Sequence, residues 1–279
     1  MDYSHYSTLR VRLEDGLIRI NINRPEALNA VNEQLHNELT DVITRIDADR
    51  AVDVAILAAE GRAFCAGGDL NWLLRVHGHP AEASELIRND RRLQTAFLEL
   101  EKPIIARVRG PAIGLGCSIA LYCDFVFAEP GAHFADPHVC VGLVAGDGGA
   151  VMWPQLVGPM LAKRYLLTGD RISASEAARI GLITEVVAED QLDQRVEEMA
   201  QRLLRGSRYA IRFTKASVNA GLKQVANAVM DRAAAYECVT QVMQDHRIAL
   251  EAFSARKEPK FVGSRSEERR VGKECRSRW

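Results

Sequence analysis

Ile104-Ile-Ala-Arg-Val-Arg-Gly-Pro-Ala-Ile-Gly-Leu-Gly-Cys-Ser-Ile-Ala-Leu-Tyr-Cys123 is the stretch on which the reading of this chain turns. Ile104 to Val108 is apolar enough, and short enough, for a buried strand. A turn containing Gly110, Pro111 and Gly114 follows, and a helix is expected to begin near Leu115. Gly110, Gly114 and Gly116 permit positive φ or a close approach of the backbone to a ligand. A helix start also presents N–H groups without intrahelical partners, at the positive end of the dipole, where an oxygen carrying negative charge is welcome.

A second turn has the same design. Arg62-Ala-Phe-Cys-Ala-Gly-Gly-Asp69 follows another short apolar strand, Val54 to Leu57, and also ends at a helix start. Two such turns can aim two backbone N–H groups at one carbonyl oxygen, which is an oxyanion hole. Either turn alone reads better as no more than a tight strand–helix connection.

The flanking sequence alternates in the same way. Leu9 to Glu14 and Leu17 to Ile22 alternate apolar and polar residues about Asp15-Gly16, a hairpin signal. Asn32 to Asp49 reads as a helix, with Leu35, Leu39, Val42, Ile43 and Ile46 on one face. Leu70 to about Gly78 reads as a helix interrupted by His77-Gly-His-Pro80. A second helix carries Leu86, Leu93, Phe97 and Leu100 and stops at Lys102-Pro103. Asp124 to Ala128 reads as a strand followed by a loop rich in Gly, His and Asp. Past Gly149 the pattern is mostly helical. Ser173-Ala-Ser-Glu176 fits a capping box, Gly181 a C-terminal cap, and Glu185 to Val187 a last strand. Helices are expected over 190–204, 208–220 and 222–255, separated by Arg205-Gly206 and Gly221. Short strands alternating with helices make an α/β fold, followed by a helical region.

Composition sets outer bounds. The 279 residues are 47% hydrophobic and 26% charged, as in an ordinary globular protein, and are enough for one large domain or a domain with an appendage. A net charge of −1 gives no reason to expect nucleic acid or an anionic membrane surface as partner. No run of about 18 apolar residues suggests a membrane span, and Met1-Asp-Tyr-Ser-His-Tyr6 lacks the pattern of a signal peptide. Six scattered cysteines read as reduced thiols in a cytoplasm, and the histidine pairs His77/His79 and His133/His138 lack metal-ligand spacing. The expectation is a cytoplasmic enzyme with no metal and no membrane association.

Phe64-Cys-Ala-Gly-Gly-Asp-Leu70 and Gly110-Pro-Ala-Ile-Gly-Leu-Gly-Cys-Ser118 resemble the two signature segments of the crotonase (enoyl-CoA hydratase/isomerase) superfamily, and Asn23-Arg-Pro-Glu-Ala-Leu-Asn-Ala30 resembles its N-terminal segment. The resemblance runs from about Leu9 to Gly263. It implies a crotonase-like spiral of strand–strand–helix repeats with the acyl-CoA site over residues 1–200. A helical C-terminal region over 201–263 would assemble subunits into a homotrimer or a dimer of trimers. Residues 264–279 are dense in charge and lack apolar periodicity, so they are expected to form a disordered tail; they also fit a cloning scar. An ordered arm across a neighbouring subunit is the alternative.

The same resemblance implies that the amides of Gly68 and Leu115 form the oxyanion hole for a thioester enolate. Arg24, Ala27 and Leu28, with Ala66, Asp69, Leu70 and Gly114, would line the acyl-CoA site, Arg24 meeting phosphates or serving as a solvated surface charge. No cofactor is expected beyond the coenzyme A that the substrate carries. The family's two catalytic glutamates fall on Ser118 and His138, neither of them a carboxylate. Ser118 can orient water or a substrate hydroxyl, or bond to its own helix. His138 in Phe134-Ala-Asp-Pro-His138 has a pKa suited to proton transfer. Asp147, in Gly142-Leu-Val-Ala-Gly-Asp147, is the general base, a partner polarising His138, or a helix cap. Asp136 reads as a turn residue.

The implied activity is that of an enoyl-CoA hydratase/isomerase in fatty acid metabolism, a lyase or isomerase. Thioester hydrolysis and decarboxylation pass through similar anions. Two other classes compete. Gly116-Cys-Ser118-Ile-Ala120 approaches a nucleophile elbow, so a serine hydrolase could use Ser118 with Asp147 and His138 or His246. Loss of both glutamates also fits an acyl-CoA binder without catalysis.

Overall fold

The computed structural model describes residues 1–263 of the chain; the expectations for 264–279 fall outside the described residues. In chain order the strands are β1 (Leu9–Glu14), β2 (Leu17–Ile22), β3 (Val54–Ala59), β4 (Ile104–Val108), β5 (Pro111–Ile113), β6 (Phe125–Ala128), β7 (His133–Ala135), β8 (Ile172–Ser173) and β9 (Glu185–Val186). The helices are α1 (Glu33–Ala48), α2 (Leu70–Val76), α3 (Pro80–Glu99), α4 (Leu115–Leu121), α5 (Gly149–Thr168), α6 (Ala174–Arg179), α7 (Leu192–Leu204), α8 (Arg208–Gln241) and α9 (Gln244–Ser254).

Two sheets share the strands. The larger has the order β1-β2-β3-β4-β6-β9, the smaller β5-β7-β8. β1 and β2 are the expected antiparallel hairpin, with Asp15 and Gly16 at φ 46° and 84° as a two-residue primed turn requires. From β2 onward every pairing in the larger sheet is parallel. β3 is buried along its whole length, which is why it reads as a continuous apolar run rather than an alternating one.

The chain visits both sheets in each turn of the spiral. β4 lies in the larger sheet, β5 in the smaller one, and α4 follows; β6 and β7 repeat the step. Cys65 extends the smaller sheet by a parallel bridge to Ala112, with Cys65 N–H donating to the Pro111 carbonyl (3.0 Å) and Ile113 N–H to that of Cys65 (2.9 Å). This is the spiral of strand–strand–helix repeats that the resemblance implies, and a helical C-terminal region follows it. β5 and β7 lie inside stretches that sequence patterning treats as turn and loop. Each is three residues long, too short to show a period.

The C-terminal helices differ from expectation in one respect. α8 runs unbroken through Gly221, and the break falls instead at Val242–Met243. One glycine costs a helix about 1 kcal/mol relative to alanine, which a 34-residue helix absorbs. The actual break is set by packing: His246 Nδ1 meets the Val141 carbonyl at 2.7 Å, and Gly142 has φ 68° where a Cβ would lie 2.9 Å from His246 N. α8 is tied to the sheet by Lys215, whose Nζ donates to Asp124 Oδ2 (2.7 Å) and the Lys102 carbonyl (2.8 Å). Among the described residues, no helix is long and apolar enough to cross a membrane.

Candidate active site

The two glycine turns press against each other. A Cβ on Gly110 (φ 62°) would lie 2.1 Å from the Arg62 carbonyl oxygen, and one on Gly116 would lie 2.5 Å from Cys65 Cβ. Asn29 braces the Arg62–Asp69 turn from behind. It is fully buried at φ 57°, its Nδ2 donates to the carbonyls of Glu60 (2.7 Å) and Ala63 (2.8 Å), and its Oδ1 accepts from Arg24 N–H (2.8 Å).

This packing brings Ala66, Gly68, Leu70, Gly114 and Leu115 to the wall of one cavity, which His138 and Asp147 also line. Leu115 is the first residue of α4. Among the described residues, no backbone carbonyl accepts from the amide of Gly68 or of Leu115. Both therefore keep a donor free beside the cavity.

Three groups converge on the imidazole and its neighbour. His138 Nδ1 lies 2.5 Å from Asp136 Oδ1, and Nε2 lies 3.1 Å from Asp147 Oδ2. Ser118 Oγ donates to the other Asp147 oxygen at 3.1 Å. Burial opposes charge on the ring, but the carboxylates of Asp147 and then Asp136 outweigh it, so the His138 pKa lies well above the ordinary imidazole value. This favours the imidazolium form, in which each of the two N–H groups faces a carboxylate. Donor atoms of Asp136, His138 and Asp147 lie within 4.8 Å of one another, close enough for a metal ion. Both imidazole nitrogens are already engaged, so a cation would have to break one of the two ion pairs to gain a lone pair.

The other sequence-derived candidates fall into two groups. Ser118 stands behind Asp147 rather than on the cavity wall, buried in α4. His246 is turned to the Val141 carbonyl. The Ser118–Asp147–His246 triad is therefore not assembled, and the Ser118 hydroxyl donates to an acid rather than to a histidine. Arg24 Nη2 meets Asp69 Oδ2 at 3.2 Å, and Nη1 donates to the Ala30 carbonyl; with Asn32 and Arg75 these residues border a shallow polar cleft beside the cavity. Asp69 also caps α2. Ala27 ends a 3₁₀ turn, and Leu28 (φ 52°) accepts from Ala66 N–H at 3.1 Å, so the N-terminal segment lies along the Arg62–Asp69 turn.

Asp136 is no mere turn residue, since it is buried and holds the second imidazole nitrogen. Its separation of two positions from His138 was the available signal. Asp90, Glu237 and Gln241 also line the cavity, from α3 and α8. Nothing local marks these three, because only the packing of the long helices brings them there.

Comparison with known proteins follows the same lines. The family pattern described as enoyl-CoA hydratase/isomerase matches residues 12–264. A crotonyl-CoA hydratase of Syntrophomonas wolfei is 34% identical over 92% of this chain and 98% of its own length. A 1,2-epoxyphenylacetyl-CoA isomerase of Escherichia coli is 29% identical over 90% of this chain and 97% of its own length. The crystal structure of an enoyl-CoA hydratase/isomerase from Mycobacterium paratuberculosis superposes with a TM-score of 0.86 at 36% identity, over 89% of this chain and 99% of that one.

Proposed function

The chain belongs to the enoyl-CoA hydratase/isomerase family of the crotonase superfamily, and we propose that it binds an acyl-CoA thioester with the carbonyl oxygen at the amides of Gly68 and Leu115, and moves a proton with Asp147 and His138. The observation that carries this reading is the sharing of one cavity wall by those two free amides and the His138–Asp147 pair. Negative charge that develops on the thioester oxygen as an enolate forms is stabilised by such donors, each worth about 3–4 kcal/mol of barrier.

Asp147 accepts a proton from the substrate or from water, and the imidazolium of His138 supplies one. Asp136 and Ser118 are positioning residues. The first holds the ring through Nδ1, the second fixes the carboxylate through its other oxygen. Arg24 acts by holding Asp69 and the 23–30 segment against the Arg62–Asp69 turn, leaving the main chain of Ala27, Leu28 and Ala66 beside the path of the coenzyme A arm. No separate cofactor enters this scheme. The apolar residues exposed on α5 and α8 support association through these helices as a trimer or a dimer of trimers.

The relatives named above include a hydratase and an isomerase, so the family leaves both reactions open. A mass-spectrometric screen of enoyl-, hydroxyacyl- and malonyl-type CoA esters in deuterated water decides. Water addition gives a product heavier than substrate, while a double-bond shift leaves the formula unchanged apart from exchanged deuterium. Asp147→Asn should lower turnover about 100-fold or more. Undiminished turnover in that variant removes Asp147 from the mechanism, and absence of both binding and turnover over the whole panel overturns the acyl-CoA reading.

A further inference from the structure

α8 contributes two polar side chains to an otherwise largely apolar lining. Glu237 and Gln241 are one helical turn apart, so they share a face, and both are buried at 4% and 2% exposure. Leu70, Leu73, Leu86, Leu143, Leu250 and Phe253 surround them in the same cavity. An apolar tail alone would call for leucine or methionine at these two places.

The two groups have unmet capacity. Gln241 Oε1 is buried and accepts no hydrogen bond among the described residues. Such an acceptor is costly in a dry wall unless something donates to it. The Glu237 carboxyl lies against the loop that carries Asp147, since a Cβ on Gly146 would lie 2.2 Å from Glu237 Oε2. Burial, and then the neighbouring charge of Asp90, push its pKa well above the ordinary carboxylate range against the opposing charge of His138, and this favours the protonated form, which can donate. Asp90 itself is engaged, with Oδ1 2.8 Å from His36 Nε2. The α8 wall thus offers one acceptor in need of a donor and one donor, with carboxylates of Asp90 and Asp147 close by.

We propose that Glu237 and Gln241 form a specificity site for the hydroxyl of a hydroxylated acyl group, an alcohol or phenol carried beyond the reacting carbons of the thioester. A hydroxyl donates to Gln241 Oε1 and accepts from the Glu237 acid, satisfying both at once. A plain alkyl tail leaves both unpaired. A carboxylate tail meets the charges of Asp90 and Asp147. An ammonium tail cannot accept the Glu237 proton. The proposal rests on the acyl-CoA reading above and deepens it.

The test is binding of saturated CoA thioesters by calorimetry, at each chain length from butanoyl to octanoyl, with ω-hydrogen, ω-hydroxyl, ω-carboxyl and ω-amino ends. Saturated esters avoid turnover. The expected result is that at one or more lengths the ω-hydroxy ester binds at least about 10-fold more tightly than its alkyl counterpart. In Gln241→Leu and Glu237→Leu the order should reverse, with alkyl binding strengthened while hydroxyl binding weakens. A merely damaged fold would weaken both. Glu237→Gln, which still donates, should retain the hydroxyl preference. Equal binding of alkyl and hydroxy esters at every length, or tighter binding of the carboxylate or amino esters, overturns this inference alone. Failure of every thioester to bind overturns the acyl-CoA reading and this inference with it.

Discussion

His138 shows how a side chain read in isolation changes character in its surroundings. A free imidazole titrates near 6.5 and would serve as a base; held between Asp136 and Asp147, this one is favoured in its charged form, which in the proposed mechanism serves as the acid. Its pKa is raised in the folded state. The stabilisation from the charged ring is therefore fully present below the unfolded value of about 6.5 and is lost as pH rises through the higher folded value. A pH–rate profile should accordingly show no inflection near 6.5 from this ring, whose loss of a proton should lower the rate on the alkaline side. In Asp147→Asn the largest of the charges that raise the pKa is gone, so NMR titration of the ring should move toward lower pH. A wild-type titration at or below 6.5 would contradict this. His138 stood out in the sequence because the family resemblance puts a glutamate position there, and Asp147 because it sits in a glycine-rich loop nine residues on. Their partnership with Asp136 and Ser118 was not, since it depends on how β7, α4 and the 142–149 loop meet.

Strand and helix boundaries repeat this lesson at a larger scale. The hairpin, α1 with its Asn32 cap, the start of α4 at Leu115 and the Ser173 cap follow from local chemistry, and the structure has all of them. β5, β7 and the Val242–Met243 break are imposed by neighbours and leave no local trace. Gly116 sets the two sources of information against each other. On propensity alone, Gly116→Ala in α4 should stabilise by up to about 1 kcal/mol. Packing says otherwise, because the new Cβ would lie 2.5 Å from Cys65 Cβ and 2.7 Å from the Cys65 carbonyl oxygen. Backbone cannot give way cheaply there, and overpacking of this kind costs typically 1–3 kcal/mol. Gly116→Ala should therefore lower the denaturation midpoint. It should also lower turnover more than stability explains, by pushing apart the turns that carry Gly68 and Leu115. A midpoint equal to or above wild type would mean that the two turns are not tightly keyed.

For the molecule as a whole, the cavity is closed by parts distant in sequence: the spiral supplies Gly68, Leu115, His138 and Asp147, and α8 and α9 supply Glu237, Gln241, Leu250 and Phe253. The outer surface of the helical region is less complete. On α5, Met160 and Leu167 are 81% and 70% exposed, and at i and i+7 they share a face beyond the bend at Gly158. On α8, Tyr209 and Phe213 are exposed with ring centroids 5.9 Å apart. Burying a side chain of this size contributes about 1.5–3 kcal/mol, before the cost of bringing chains together. Exposed apolar residues grouped on helices mark surfaces that other chains cover. If the trimer or dimer of trimers proposed above forms through these surfaces, light scattering on the purified protein should give a mass of three or six chains at micromolar concentration. Met160→Glu with Leu167→Glu should shift it toward smaller species while far-ultraviolet dichroism stays that of the parent, because neither side chain supports the fold of its own subunit. A monomeric mass for the parent would remove association as the reason for these exposed residues. An unchanged mass in the double variant would place the contact on α8 instead, where Tyr209→Lys with Phe213→Lys becomes the deciding substitution.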